Sequence, residues 1–114
     1  MRATVLAGIW LALMIAPAGS APLLADDDAV VVIMRDMVFD PAEITIRAGQ
    51  TVRWENHERR QFHNVWFREL GEEPYPYIFP DESLEKTFDQ PGEFPYVCQP
   101  HEDRGMTGLV RVEP

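Results

Sequence analysis

The sequence predicts an all-β protein built as a β-sandwich of about seven strands. Short apolar segments rich in β-branched residues follow one another along the chain, with turn residues between them. After the first 25 residues, no segment repeats its apolar residues every 3.6 positions, as an amphipathic helix would. About seven strands with frequent turns in roughly 90 residues are typical of a sandwich of two sheets.

The N-terminus, residues 1–25, is predicted to be a secretory signal peptide and not part of the fold. Arg2 precedes an apolar stretch of eleven residues, Val5 to Ile15, and small residues follow it. A membrane span needs about 20 residues, so we expect no stable membrane insertion once the signal is removed. The candidate cleavage sites follow Ala18, Ala21 and Ala25. Residues 26–114 then form a single domain.

The first half of the mature chain contains four strand candidates. Residues 29–34, AVVVIM, are apolar and β-branched. Within 43–56, apolar side chains recur at every second position on both sides of RAGQ, which predicts two half-buried strands that meet in a turn at Gly49. Residues 62–67, FHNVWF, are the fourth candidate.

The second half begins with a loop and continues with three strand candidates. Residues 68–83 contain three prolines and one glycine, which predicts a long loop that could include a helical turn. The segment 84–88 precedes the turn sequence DQPGE, and 107–113 closes the chain. In 94–98 apolar residues alternate, but Pro95 has no N–H to donate to a neighbouring strand. Pro95 must therefore lie at a sheet edge, a strand start or a bulge.

The composition of the mature chain excludes some partners. Without Arg2 it has 9 basic and 19 acidic residues, a formal net charge of −10. Such a surface cannot bind nucleic acid through phosphate contacts, and it favours association with basic partners. Six acidic residues, at 69, 72, 73, 81, 82 and 85, form either a plain solvated face or a docking patch for a basic protein.

The only cysteine of the chain belongs to a pattern of metal ligands. Cys98, His101 and Met106 are separated by two and four residues, between the last two strand candidates. A thiolate, an imidazole and a thioether suit copper, and a blue-copper site adds a second histidine, with methionine as a weak axial ligand. A single cysteine also cannot form an internal disulfide, so the thiol needs another explanation.

Two upstream histidines compete for the second imidazole position. His63 lies at the start of the strand candidate 62–67, so it can occupy one end of a sandwich. His57 lies in a polar, basic turn, where a solvated side chain is expected, and we therefore favour His63. Zinc can occupy the same ligands. A metal-free domain would leave the ordered occurrence of all four ligand types unexplained.

The loop between Cys98 and Met106 is short and locally constrained. Pro100 stiffens the backbone beside His101, and Gly105 lets the chain turn before Met106. A rigid loop holds its ligands in place when a metal changes oxidation state, so little rearrangement accompanies the gain or loss of an electron.

These segments resemble those of the cupredoxins, in particular the plastocyanin, pseudoazurin and amicyanin group. MVFDPAEITIRAGQTVRWEN is similar to the N-terminal half of such proteins, FHNVWF to the segment with their first histidine, and PGEFPYVCQPHEDRGMTGLVRVE to their ligand loop and last strand. The ligand spacing is like that of plastocyanin and pseudoazurin, whereas the amicyanin loop is shorter. The resemblance implies a Greek-key β-sandwich over most of the mature chain.

The resemblance also implies a set of ligands and a function. One type 1 copper ion would be held strongly by His63, Cys98 and His101 and weakly by Met106, with Asn64 hydrogen-bonded to the thiolate and the ligand loop. Outer partners of this kind fix the geometry of a site. The protein is then expected to be a monomeric periplasmic one-electron carrier that cycles between Cu(I) and Cu(II), and not an enzyme. A c-type cytochrome or a periplasmic oxidoreductase would be its partner.

The ligand loop departs from this family in its charges. Glu102, Asp103 and Arg104 occupy positions where many relatives have small or apolar residues. Acidic residues near the metal would favour Cu(II) and lower the reduction potential, unless Arg104 offsets one of them. The alternative function is a copper-delivery module without electron transfer, although the chain lacks the methionine-rich or histidine-rich tracts that would favour it. An oxidase or reductase would need more copper ligands than three histidines can supply.

Overall fold

The computed structural model describes residues 28–114, which form two β-sheets with the core between them. The strands are β1 (Val30–Arg35), β2 (Val38–Asp40), β3 (Glu43–Arg47), β4 (Gln50–Asn56), β5 (Ser83–Phe88), β6 (Gly92–Val97) and β7 (Thr107–Glu113). Two short 3₁₀ helices span Arg68–Leu70 and Gln99–Arg104. The predicted all-β sandwich of about seven strands is confirmed. The predicted signal peptide lies outside the described residues.

The two sheets contain strands from both halves of the chain. One sheet has four strands in the order β2-β1-β4-β5, and the other has three in the order β3-β7-β6. β1 is parallel to β4 and β3 is parallel to β7, while the other pairs are antiparallel. β3 and β4 meet at Gly49 as predicted but lie in different sheets, so this turn carries the chain across the sandwich. Gly49 has φ 95°, which glycine adopts without steric cost.

The core is rich in aromatic side chains. Alternate residues of β3 are buried, and β4 buries Trp54 completely. The Trp54 ring meets the rings of Tyr96 and Phe67 edge-on, with centroids 5.4 and 6.0 Å away. Such pairs add about 0.5–1.5 kcal/mol each beyond the burial of their area. Tyr96 lies against Gly108 so closely that a Cβ at residue 108 would collide with its ring.

The prediction of a strand at residues 62–67 is wrong. This segment makes only isolated bridges, from His63 to Ile78 and from Trp66 to Val97. Because it changes partners within three residues, it cannot extend a ladder with either neighbour. The consequence is that His63 is held between the end of β6 and the loop before β5, and not within a sheet.

β2 is the strand that sequence reasoning missed. It is three residues long and pairs with β1 through a two-residue turn, Asp36–Met37. Both turn residues have positive φ, 56° and 60°. Hairpin turns of this kind usually contain Asn-Gly or Asp-Gly, so the usual turn signal is missing from the sequence here.

The placement of Pro95 and of the long loop agrees with the predictions. β6 is an edge strand of the three-stranded sheet, so Pro95 sits where a missing N–H is tolerated. Residues 68–83 are mostly irregular and include the 3₁₀ helix Arg68–Leu70. Within residues 28–114, no helix has the length and apolar character needed to cross a membrane.

Candidate metal centre

The ligand loop is closed by short-range backbone hydrogen bonds. Cys98 follows β6, and Met106 directly precedes β7. The Cys98 N–H donates to the Met106 carbonyl at 2.9 Å, and the His101 N–H donates to the Cys98 carbonyl at 3.1 Å. Gly105 has φ 78° and its N–H donates to the Glu102 carbonyl, which ends the 3₁₀ helix as the glycine in the sequence predicts. The backbone therefore fixes three predicted ligand positions relative to one another.

Three predicted ligands converge on one point. The Cys98 Sγ lies 3.4 Å from the His101 Nδ1 and 3.7 Å from the His63 Nδ1. The two Nδ1 atoms are 3.1 Å apart, although 38 residues separate the histidines. His63, Cys98 and Met106 are fully buried, and His101 is half-buried.

The competing histidine lies elsewhere. The side chain of His57 is 41% exposed, and its Nε2 is 3.0 Å from the Glu55 Oε1. Among the described residues, the group of metal-binding side chains with donor atoms within 4.8 Å of one another contains His63 and not His57. The geometry therefore favours His63 over His57, as the strand context did.

Glu58 orients the buried imidazole of His63. The Glu58 Oε1 lies 3.1 Å from the His63 Nε2, and an ionised carboxylate can only accept a hydrogen bond. A hydrogen bond from the His63 Nε2 to this carboxylate leaves Nδ1, 3.7 Å from the Cys98 Sγ, available to bind a metal. Such a carboxylate partner fixes both the tautomer and the ring orientation of a metal-binding histidine.

Asn56 holds the loop that carries Glu58. Its Nδ2 donates to the carbonyls of Gln61 at 2.9 Å and Ile78 at 2.8 Å, and its Oδ1 accepts the Glu58 N–H at 2.8 Å. The side chain is almost fully buried. Both Asn56 and Glu58 were missed by the sequence analysis. Their only local signal is the position of Asn56 two residues before Glu58, whose N–H its side chain accepts.

Asn64 has the role that the resemblance implied. Its N–H points at the Cys98 Sγ at 3.5 Å, and its Oδ1 accepts the Gln99 N–H at 2.7 Å. The Asn64 Nδ2 donates to the Gln99 Oε1 at 3.2 Å. Asn64 thus ties the upstream segment to the first residue of the ligand loop and contacts the sulfur directly.

The environment shifts the protonation of two donors. Burial raises the pKa of the Cys98 thiol, and hydrogen bonds from the backbone N–H groups of Asn64 and His101 oppose that shift. Burial lowers the pKa of His101, with smaller contributions from His63 and Arg104. At neutral pH the His101 imidazole is therefore uncharged, while a metal ion must displace the proton of the Cys98 thiol to bind the sulfur.

Both acidic residues of the ligand loop have a cationic neighbour. Glu102 pairs with Arg68 at 2.7 Å, and not with its neighbour Arg104. The Arg68 guanidinium also lies 5.5 Å from the centre of the Trp66 ring. Arg68 thus offsets the charge of Glu102, while the charge of Arg104 opposes that of Asp103 in its effect on the pKa of His101.

The donor set fits a copper ion. One sulfur and two imidazole nitrogens converge, and methionine follows in the same closed loop. Two histidines and one cysteine in a trigonal set, with a weak axial methionine, are typical of blue-copper sites. The orientation of His63 by Glu58 leaves the nitrogen nearer the sulfur free to bind a metal.

Comparison with known proteins identifies the family. Residues 27–113 match the family described as "Copper binding proteins, plastocyanin/azurin family". A chloroplastic plastocyanin of Tetradesmus obliquus is 37% identical over 118 residues, which cover 94% of this chain and 74% of the plastocyanin. An amicyanin of Paracoccus versutus is 36% identical over 113 residues, which cover 93% of this chain and 83% of the amicyanin.

Solved structures agree with the sequence relatives. The Cu(I) form of an amicyanin variant matches with a TM-score of 0.70 at 35% identity, covering 79% of this chain and 86% of the variant. The predicted cupredoxin-like sandwich and the predicted copper cofactor are both confirmed by this agreement. The chain therefore belongs to the plastocyanin/azurin family of copper binding proteins, and its cofactor is copper.

Proposed function

We propose that His63, Cys98 and His101 bind one type 1 copper ion, with Met106 as a weak fourth ligand, and that the protein is a periplasmic one-electron carrier. The observation that carries this proposal is the convergence of the His63 Nδ1, the Cys98 Sγ and the His101 Nδ1 within 4.8 Å of one another. When bound, copper supplies a one-electron couple between Cu(I) and Cu(II).

The surrounding residues are suited to hold such an ion without rearrangement. Glu58 and Asn64 restrain His63 and Cys98 through hydrogen bonds from outside the donor set. The backbone bond between Cys98 and Met106 restrains the base of the loop. A preorganised set of donors needs little motion when its charge changes, which favours fast electron exchange.

Burial of the donors favours a carrier over an enzyme or a delivery module. His63 and Cys98 are fully buried, while a catalytic metal site keeps an open position for substrate. A delivery module must release its ion, and release through buried donors would require the loop to open. His101 is half-buried, so its ring provides the shortest path for an electron between the donor atoms and the protein surface.

The cellular role follows from the family and from the N-terminal sequence. The signal peptide predicted at 1–25 supports export to the periplasm. We propose that a monomer receives an electron from one redox protein and passes it to another, with a c-type cytochrome or a periplasmic oxidoreductase as partner. Export is tested by the N-terminal residue of the protein recovered from the periplasmic fraction, measured by mass spectrometry.

The visible spectrum of the copper-loaded protein tests the ligand assignment. The Cu(II) protein should be intensely blue because of charge transfer from the Cys98 thiolate, and Cys98→Ser should abolish the band. Met106→Leu is the control, since it leaves all three strong donors in place and should keep the band. A blue Cys98→Ser protein would reject the thiolate as a ligand, and a Cu(II)-loaded wild type without the band would reject the type 1 assignment.

A further inference from the structure

Five of the nine basic residues in 28–114 lie in no ion pair, and three of these five are grouped on one surface. Carboxylates form ion pairs with Arg53, Arg68, Lys86 and Arg111. Arg35, Arg59 and Arg60 make no ion pair within residues 28–114, although the chain carries 19 acidic residues. All three line one cavity of about 470 Å³, which we call the arginine cavity.

Two chain segments build this cavity. Arg35 ends β1 and precedes the strained turn Asp36–Met37, and Arg59 and Arg60 lie in the loop that follows β4. The His57 N–H donates to the Met34 carbonyl at 3.0 Å and joins the two segments. The arginines are therefore held on a fixed surface and not on a free chain end.

The acidic residues of the cavity do not neutralise it. Asp36 and Glu58 also line the cavity, yet neither lies within 4.0 Å of an arginine nitrogen. The Glu58 carboxylate is turned inward to the His63 Nε2 and its side chain is only 14% exposed. With the Glu58 carboxylate turned inward, three guanidinium groups face the one exposed carboxylate of Asp36, so the cavity keeps a net positive charge.

The arginine cavity adjoins an exposed aromatic cluster next to the metal centre. Phe62 follows the cavity residue Gln61, and its ring lies 4.6 Å from Tyr77 and 5.9 Å from Phe79, measured between centroids. Tyr77 and Phe79 are 49% and 52% exposed. The Phe62 ring is 6.4 Å from the ring of His101, so cavity, cluster and donors share one end of the molecule. Aromatic residues and arginine are the side chains enriched in protein interfaces.

We propose that the arginine cavity is a docking site for an acidic redox protein, whose carboxylates bind among Arg35, Arg59 and Arg60 while its redox centre faces His101. The inference rests on the proposed electron-carrier function and adds that the partner is acidic. The negative net charge of the whole chain would instead favour a basic partner. At about 0.1 M salt the screening length is about 10 Å, so nearby arginines outweigh distant carboxylates.

The acidic residues that could have docked a basic partner are less suited to this role. Glu72 and Glu85 lie in ion pairs with Lys86 and Arg53. The Glu82 carboxylate accepts the Phe79 N–H at 2.8 Å. Half of the six acidic residues between 69 and 85 are therefore engaged within the molecule.

Electron exchange with two forms of one probe protein tests the proposal. Unmodified mitochondrial cytochrome c has a basic surface, and the same protein with succinylated lysines has an acidic one. The reduced copper-loaded protein gives one electron to the ferric haem, and stopped-flow absorbance follows the rate at about 0.1 M ionic strength. We expect Arg59→Gln/Arg60→Gln to lower the rate with the succinylated form by about 3- to 10-fold and not to lower it with the unmodified form.

The matched control is Arg47→Gln/Arg111→Gln, which removes the same charge from the three-stranded sheet. It should change the rate with the succinylated form by less than about twofold, because both arginines lie outside the cavity. Equal losses in the two double variants would make the effect one of net charge and overturn the proposal. So would a larger loss with the unmodified cytochrome.

A binding measurement separates this inference from the electron-carrier function. Succinylated cytochrome c should shift the amide NMR signals of residues 57–62 and 77–79 in the Cu(I) protein. Shifts there without electron exchange would contradict the carrier function and leave the docking site standing. Shifts confined to residues 69–73, or none at all, would overturn the docking site even if electrons are exchanged.

Discussion

The two segments that meet at the metal centre are held in different ways. The downstream loop, 98–106, is closed by hydrogen bonds between its own backbone groups, such as Cys98 to Met106. The upstream segment, 56–64, depends on residues far along the chain, since His63 bridges Ile78 and Asn64 binds Gln99. Local bonds make the downstream loop a unit that its own sequence specifies. The upstream segment adopts its observed conformation only when the rest of the sandwich has formed.

Removing an imidazole should give the largest effect and separates the two histidines of the upstream segment. We expect His63→Ala to abolish stable copper binding, because it removes a fully buried donor from the converging set. His57→Ala should retain the wild-type copper content and blue band, because its side chain is exposed and paired with Glu55. Copper analysis after dialysis measures both. Copper lost only from His57→Ala would reverse the assignment.

Loss of the Asn56 side chain should test how strongly this residue organises the upstream segment. Asn56→Ala removes three hydrogen bonds at a buried position, which should lower the free energy of unfolding by about 3 kcal/mol. Gln50→Ala is the control, because it removes one exposed hydrogen bond to Arg47 and should cost less than about 1 kcal/mol. Urea unfolding of the copper-free protein compares them. Equal losses would show that Asn56 does not organise the segment.

Gly108→Ala should test the base of the downstream loop. A Cβ at residue 108 collides with the buried ring of Tyr96, one strand position from the pair that flanks the loop. Overpacking of this kind should lower the free energy of unfolding by about 1–3 kcal/mol. Thr107→Ala, at an exposed neighbouring position, serves as control and should cost less than about 0.5 kcal/mol. An unchanged unfolding midpoint for Gly108→Ala would contradict the close packing of Tyr96.

Arg68→Gln should have the smallest effect on stability and a measurable one on the reduction potential. The Arg68–Glu102 pair is exposed, and such pairs contribute about 0–1 kcal/mol. Without Arg68, the charge of Glu102 is no longer offset beside the ligand loop, so Cu(II) is favoured and the potential falls. Protein-film voltammetry should show a larger decrease for Arg68→Gln than for the distant Arg47→Gln. Equal decreases would mean that Arg68 does not offset the effect of the Glu102 charge on the reduction potential.

The same difference explains how far sequence reasoning reached. The spacing of Cys98, His101 and Met106 predicted the downstream loop, because a proline and a glycine at fixed positions set its backbone locally. The segment 62–67 has the alternation of a strand but forms isolated bridges, since its neighbours are chosen by tertiary packing. The same holds for Glu58, which contacts His63 only because Asn56 folds the intervening loop back. Arg68 reaches Glu102 across 34 positions and leaves no local signal.

The bond that joins Cys98 to Met106 bears on how this centre tolerates changes in loop length. The bond lies directly beyond the last pair of the β6–β7 ladder, Val97 with Thr107. Residues inserted after His101 would bulge into solvent, because both ends of the loop are already anchored. The length of the segment between His101 and Met106 can therefore change in this chain, which alters the surface around His101 while the sulfur donor keeps its place.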